Sequence, residues 1–490
     1  MRKARILKNL LIMGSGQVVT FLLSGIYVIV IGRYLGPGRL GELALATALV
    51  SIVRLVIGLG MNTLVTIHVA RTPERGGVIV SAALIIRTIL SLPAPIMILA
   101  YAYLAHINRV TTIAACILVI NMLLSSLGAL LLSMFQGRER MAYVAGTNVL
   151  QNALPLLYAG GIIFLLHGGV LAFAVAQTAM SGLILALNFR RAKAFIHFTL
   201  RVTPAIYREV ITGGVLYWAN SAFLTIYIYI DSVILGSVAG ARAVGYYTPG
   251  MRLLSVALFV PTILQTVTLP LLSQLGVNAG TDYARVGRKT LTLLITCSVP
   301  VMIGVVTMAG PLIHRFFGPA YGPSVPTLMV LALTIPWTYL DSQYASLLIA
   351  QSKQRLWSIV MVTSCIVNPI LNLILIPVAI HRWHNASLGS ALALLCTEVL
   401  MAIYGTAVLR RVVLHGSIGR ALIGTLVAGA AQAGILWIWG PQWLLIGEAI
   451  GAGVYAAVAI TLGALPGRDV LMLLELVLRR PLKTLRQGRA

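Results

Sequence analysis

Seven ionisable side chains stand inside or at the edge of long apolar runs: Arg54, Arg87, Asp231, Arg252, Asp341, Glu398 and Glu448. A charge at the centre of a membrane helix costs about 2.5–3.5 kcal/mol on insertion scales, so it is kept where it meets a partner, a water-filled cavity or an ion. Arginine in such a place offers a planar fork of donors that fits phosphate bidentately. A lone carboxyl there either binds a proton or a cation, or stays neutral and hydrogen-bonded in a helix interface.

Spacing sharpens these options. Thr47, Ser51, Arg54 and Gly58 share one helix face, a polar stripe that reads either as an aqueous wall or as a buried Arg among carbonyls. Arg252, Ser255, Phe259, Thr262 and Thr266 share another face, as do Asn220, Leu224, Tyr227 and Asp231. The turn between the two runs predicts an Asp231–Arg252 pair, with a cation site at Asp231 as the rival reading. Arg87 lies about 12 Å from the inner end of its run and either snorkels to the headgroups or adds a third cation. Asp341 has Thr338, Ser342 and Tyr344 nearby, and Glu398 follows Thr397. Both are candidate sites for a coupling Na⁺ or proton, with a structural role as the alternative. Glu448 is expected at the outer interface.

The elements that hold these residues follow from composition. The chain is 59% hydrophobic and only 10% charged, against about 25% charged in soluble proteins. Apolar runs of spanning length recur throughout, without the alternation of a β-barrel. We expect an all-α polytopic membrane protein of about 14 spans: 9–31, 43–66, 79–104, 111–134, 144–166, 169–188, 211–236, 251–274, 290–313, 326–350, 356–380, 386–409, 420–439 and 443–465. The first run is too long for the apolar region of a signal peptide and is read as an uncleaved span. The formal charge of +25 would suggest nucleic acid in a soluble chain. Here the cations sit in polar breaks, and no nucleic-acid partner is expected. With the N-terminus inside, the inner segments hold 27 Lys and Arg and the outer segments 6. That asymmetry supports an even number of spans and cytoplasmic termini.

An internal repeat organises the spans. Gly32, Gly36, Gly41 and Ser51 recur as Gly236, Gly240, Gly245 and Ser255, each 204 residues later. A weaker echo links "FQGRERM" to "AQSKQRL". Six spans separate the copies, so both point the same way through the membrane, as in parallel-repeat transporters. The expected organisation is an N-terminal lobe at 1–200, a C-terminal lobe at 201–415, and two extra spans with a basic amphipathic tail at 416–490. Pro155 with Asn148 and Asn152, and the stretch "VNPILNLILIP", predict kinks suited to moving lobes.

Several chemistries lack their parts. Cys116, Cys297, Cys365 and Cys396 lie within apolar runs without metal-ligand spacing, so neither a zinc site nor a disulfide framework is expected. There is no P-loop, His cluster or Gly-x-Ser-x-Gly, and no long outer loop for a membrane polymerase or ligase. No catalytic residue and no cofactor is expected, apart from Na⁺ or H⁺ as a coupling ion.

The stretches "GRYLGPGRLGELALATALVSIV" and "IDSVILGSVAGARAVGYYTPGMRLLSVA" resemble paired signatures of the polysaccharide-transporter, or oligosaccharide flippase (Wzx-like), branch of the multidrug/oligosaccharidyl-lipid/polysaccharide exporter superfamily. The resemblance implies an alternating-access flippase that carries a polyprenyl-diphosphate oligosaccharide across the cytoplasmic membrane for surface polysaccharide synthesis. It implies a cationic cavity for the diphosphate, which Arg54 and Arg252 suit, one per lobe, with Arg87 as a weaker third. Membrane lipids and a polymerase or glycosyltransferase machinery are the implied partners. The alternative is a cation-coupled drug or metabolite antiporter of the same superfamily.

Overall fold

The computed structural model describes residues 2–199, 201–276, 280–413, 416–439 and 444–464. All regular structure among them is helical. Two compact units divide at Thr248/Pro249. The first packs α1 (Arg2–Gly58), α2 (Met61–Arg71), α3 (Gly76–Ser91), α4 (Ala94–Leu104), α5 (Arg109–Gly137), α6 (Met141–Gly161), α7 (Val170–Ala192) and α8 (Pro204–Ala239). α9 (Ala241–Ala257) crosses the division. The second holds α10 (Phe259–Gly276), α11 (Thr281–Thr307), α12 (Ala309–Phe316), α13 (Ser324–Ala332) and α14 (Ile335–Ala350). It continues with α15 (Gln354–Trp383), α16 (Ala386–Val408), α17 (Arg410–Val413), α18 (Gly416–Trp439) and α19 (Leu444–Thr461). The repeat-based lobe boundary at 200/201 is a different quantity, since it follows displacement along the sequence rather than compactness.

The chain is a multi-pass membrane protein. Among the described residues nine helices are long and apolar enough to cross a bilayer alone, and Ile446–Thr461 is a shorter apolar helix. The predicted runs are there, but several are built from two helices. The run at 79–104 breaks at Leu92–Pro93, that at 251–274 at Leu258, that at 290–313 at Met308, and that at 326–350 at Leu333–Thr334. In each case the following helix carries a proline in its first turn: Pro95, Pro261, Pro311 and Pro336. There the missing N–H would have had no intrahelical partner, so proline starts a helix at little cost. By contrast, the expected kink sites at Pro155, Pro369 and Pro377 lie inside unbroken helices. Asn152 Nδ2 donates to the Asn148 carbonyl at 2.9 Å, rather than to the Gln151 carbonyl that Pro155 leaves free. The basic tail beyond residue 464 lies outside the described residues.

The repeat is visible in the backbone. Gly36 (φ 71°, ψ 173°) and Gly240 (φ 80°, ψ 170°) adopt the same conformation, one that residues with a side chain rarely take. Each interrupts the helical backbone at equivalent points of the two copies. The next conserved pair of the repeat packs on itself. A Cβ on Gly41 would strike the Ala241 carbonyl, and one on Gly245 would strike the Pro37 carbonyl. Small residues at such a crossing let two helices approach closely where lipid offers no hydrophobic drive for association.

Each unit has its own apolar centre. In the first, Val65, Val80, Leu130 and Phe135 join α2, α3 and α5. In the second, Tyr283, Leu291, Tyr344 and Leu347 join α11 and α14.

Candidate functional site

In the first unit α5, α6 and α7 surround a cavity of about 520 Å³, with Arg54 of α1 at its edge. Three helix faces supply the wall. α5 gives Asn121, Ser125, Ser133 and Gln136; α6 gives Asn148, Gln151 and Tyr158; α7 gives Gln177 and Ser181. These are i, i+3 and i+4 spacings, so each helix turns one polar stripe inward. Among the described residues no acid lines the cavity. A smaller cavity of about 260 Å³ adjoins, lined by Ser51, Arg54, Gly58, Asn62, Arg87, Ser126 and Trp218 among others. Arg54 and Asn62 belong to both.

The stripe drawn from sequence around Arg54 is largely recovered. Ser51, Arg54 and Gly58 line the smaller cavity, while Thr47 returns its hydroxyl to the Leu43 carbonyl at 2.8 Å. Arg54 remains solvent-accessible, with Tyr229 of α8 as a neighbour. Trp218 Nε1 donates to the Leu55 carbonyl at 2.7 Å, tying α8 to the helix that carries Arg54.

Arg87 does not snorkel. It is 2% exposed. Its Nη1 donates to Asn62 Oδ1 at 3.0 Å and to the Ser126 carbonyl at 2.7 Å, and its Nη2 to the Gly58 carbonyl at 3.0 Å. One guanidinium thus closes the helix end at Gly58 and binds α1, α2 and α5 together. The Gly58 carbonyl is free to accept because α1 stops there and α2 restarts at Met61. Arg87 lines the same smaller cavity as Arg54.

Asp231 is buried on α8, and Tyr247 donates its hydroxyl to Asp231 Oδ2 at 2.9 Å. Arg252 is half-buried on α9, and its carbonyl accepts from Ser255 Oγ at 2.7 Å. The stripe expected below Arg252 is interrupted, because α9 ends at Ala257 and α10 begins at Phe259. The side chains of Asn220 and Thr266 lie outside the described residues.

The second unit places Asp341 of α14 beside Glu398 of α16. Asp341 is 3% exposed, and neither carboxyl oxygen has a hydrogen-bond donor among the described residues. Glu398 Oε2 accepts from Thr338 Oγ1 at 2.7 Å. The sequence named both acids but gave no sign that they meet. Glu448, expected at the interface, instead turns inward: Gln432 Nε2 donates to it at 3.3 Å, and it presses on Gly304, where a Cβ would collide with the carboxyl group. The four cysteines are free, and among the described residues no three His, Cys, Asp or Glu side chains gather as a metal site would require.

The amides of the larger cavity went unnoticed in the sequence, except Asn148, which read as part of a hinge. A neutral amide in an apolar run is less conspicuous than a charge. The signal was the recurrence of polar residues at helical spacing on three successive spans.

Comparison with known proteins agrees with this architecture. A model of the family described as "Polysaccharide biosynthesis protein" matches residues 6–276, more than half of the chain. The teichuronic acid biosynthesis protein TuaB of Bacillus subtilis (strain 168) is 23% identical over 247 residues, which is 49% of this chain and 50% of that protein. The chain therefore spans about half the length of the curated relative it matches. Among solved structures, the lipid II flippase MurJ in an inward closed conformation superposes with a TM-score of 0.75 at 13% identity, over 94% of this chain and 100% of that one. An inward-facing multidrug resistance MATE family transporter of the MOP superfamily gives 0.66 at 15% identity, over 81% and 95%. With the Gly-rich repeat and the polar interior in place, the chain belongs to the polysaccharide biosynthesis protein family and carries the fold of the MOP-superfamily transporters.

Proposed function

We propose that this protein is an alternating-access flippase for a polyprenyl-diphosphate oligosaccharide. The observation that carries the reading is electrostatic. Two guanidiniums, Arg54 and Arg87, line one cavity in the membrane-spanning first unit, and among the described residues no carboxylate lines it or the larger cavity beside it. Like charges in a low-dielectric setting repel strongly, so an arriving anion is favoured twice over. Arg54, accessible and uncommitted to the helix ends, is the residue that grips the diphosphate. Arg87 is a positioning residue: it holds the wall and adds positive potential. Arg252 is the second proposed phosphate ligand. Asp231 is a structural acid held by Tyr247 within its own unit.

A diphosphate head cannot cross hydrocarbon, whereas its polyprenyl tail stays in it. Lobes at 1–200 and 201–415, as the repeat divides them, shield the head and exchange access by rocking. The spans at 416–465 and the basic tail complete the organisation, in the cytoplasmic membrane with both termini inside. A polymerase or glycosyltransferase machinery is the proposed partner. Asp341 and Glu398 form the coupling site, where one Na⁺ or proton relieves two adjacent carboxyl groups.

The test is reconstitution. Vesicles containing the protein should translocate a labelled polyprenyl-diphosphate oligosaccharide, and Arg54→Ala should abolish this while insertion remains normal. Undiminished translocation by that variant would remove the phosphate role. The carboxyl pair also favours a second reading, a cation-coupled drug or metabolite antiporter. That reading predicts drug efflux that needs Asp341 and is indifferent to Arg54.

A further inference from the structure

The larger cavity of the first unit holds more polar groups than a diphosphate needs. Gln136 of α5, Asn148 and Gln151 of α6, and Gln177 of α7 converge on it, each half-buried. Among the described residues no side-chain hydrogen bond engages these four amides, whereas their neighbours are committed: Asn121 Oδ1 accepts from Ser181, and Tyr158 shares a 2.9 Å hydroxyl bond with Tyr27. Uncommitted amides in an apolar bundle carry a desolvation cost unless a ligand or water meets them. Each offers two donors and two acceptor sites.

That donor–acceptor balance selects a ligand class. A sugar hydroxyl both donates and accepts, as does an N-acyl group, and either finds a complement at a carboxamide whichever way it points. A carboxylate only accepts. It would use the amide N–H groups, be repelled by their oxygens, and compete with phosphate for Arg54, the single cation among the described residues that line the cavity. The volume of about 520 Å³ suits a small polar ligand. Arg54 stands at the boundary with the smaller cavity, so a phosphate on Arg54 places the first sugars against the amides.

We infer that this cavity is a saccharide subsite for uncharged sugars, hydroxylated or N-acylated, and that the sugars next to the diphosphate are neutral rather than uronic acids. The inference rests on the diphosphate reading of Arg54. The amides set specificity and Arg54 sets affinity.

The experiment compares three probes on the full chain in nanodiscs: bare polyprenyl diphosphate, the same carrier with a neutral N-acetylated disaccharide, and the same carrier with a disaccharide containing a hexuronic acid. The neutral disaccharide should bind about tenfold tighter than the bare carrier, the worth of one or two net hydrogen bonds. The uronic disaccharide should show no gain. Gln151→Leu combined with Gln177→Leu should reduce the neutral gain to about twofold or less. Equal binding of the neutral and bare carriers, or tighter binding of the uronic one, overturns the inference while Arg54 dependence of all three probes still stands. Indifference of all three to Arg54→Ala defeats the diphosphate reading instead. The wild-type comparison decides the subsite even if the double variant fails to fold.

Discussion

The charged interiors of the two units are opposite in kind. In the first, Arg54 and Arg87 share a cavity, and the larger cavity beside it carries amides and hydroxyls among apolar side chains. In the second, Asp341 and Glu398 lie side by side, helped by a threonine hydroxyl. One repeated architecture thus gathers positive charge in one place and carboxyl groups in another. Each arrangement is costly while empty and favourable when an ion of the opposite sign arrives. The difference suits a carrier that takes an anionic head with one set and a coupling cation with the other.

Arg87 and Arg54 also differ from each other, and the difference is the easiest to break. Arg54→Ala should lower translocation by about 100-fold or more, as expected when a charged hydrogen-bonding partner of the substrate is removed. Flux measured in vesicles at matched protein density would show it, and Arg54→Lys should recover only part because it loses the fork. Arg87→Ala should act on stability. It orphans Asn62 Oδ1 and two carbonyls, at a cost of about 3 kcal/mol or more, read as a lower unfolding temperature in detergent. If Arg87→Ala were fully stable and only transport-deficient, the positioning role would be wrong.

The carboxyl pair gives the next effect. Asp341→Asn and Glu398→Gln should each remove the dependence of flux on an imposed Na⁺ or proton gradient, with downhill exchange of substrate retained. Persistence of the gradient effect in both variants would return these acids to a structural role. The smallest effect is expected at Tyr158→Phe. It loses one hydroxyl bond to Tyr27, worth about 1 kcal/mol, and should change thermal stability slightly.

Much of the fold was legible in advance, because hydropathy and the glycine repeat are coarse and redundant signals. Gly36 and Gly240 even share their backbone angles. The helix breaks were harder to read, since a proline in an apolar run looks alike whether it begins a helix, as Pro336 does, or rides inside one, as Pro369 does. Local sequence leaves that to packing. At the site the cations stood out singly, since each is improbable in its surroundings. What they do depends on long-range partners. Arg87 meets Asn62, Gly58 and Ser126 from two other helices and a helix end, and Asp341 meets Glu398 across 57 residues of sequence. The amides at Gln136, Gln151 and Gln177 were legible only as stripes, and a stripe shows its use once the helices that share a cavity are known.

The central claim is that the cavity wall around Arg54 holds a diphosphate. Its most direct test is the affinity of bare polyprenyl diphosphate for the protein in nanodiscs, for wild type and Arg54→Ala. We expect saturable binding by wild type that weakens at least about tenfold in the variant, in keeping with a lost charge-assisted hydrogen bond. Equal affinity of the two proteins would contradict it.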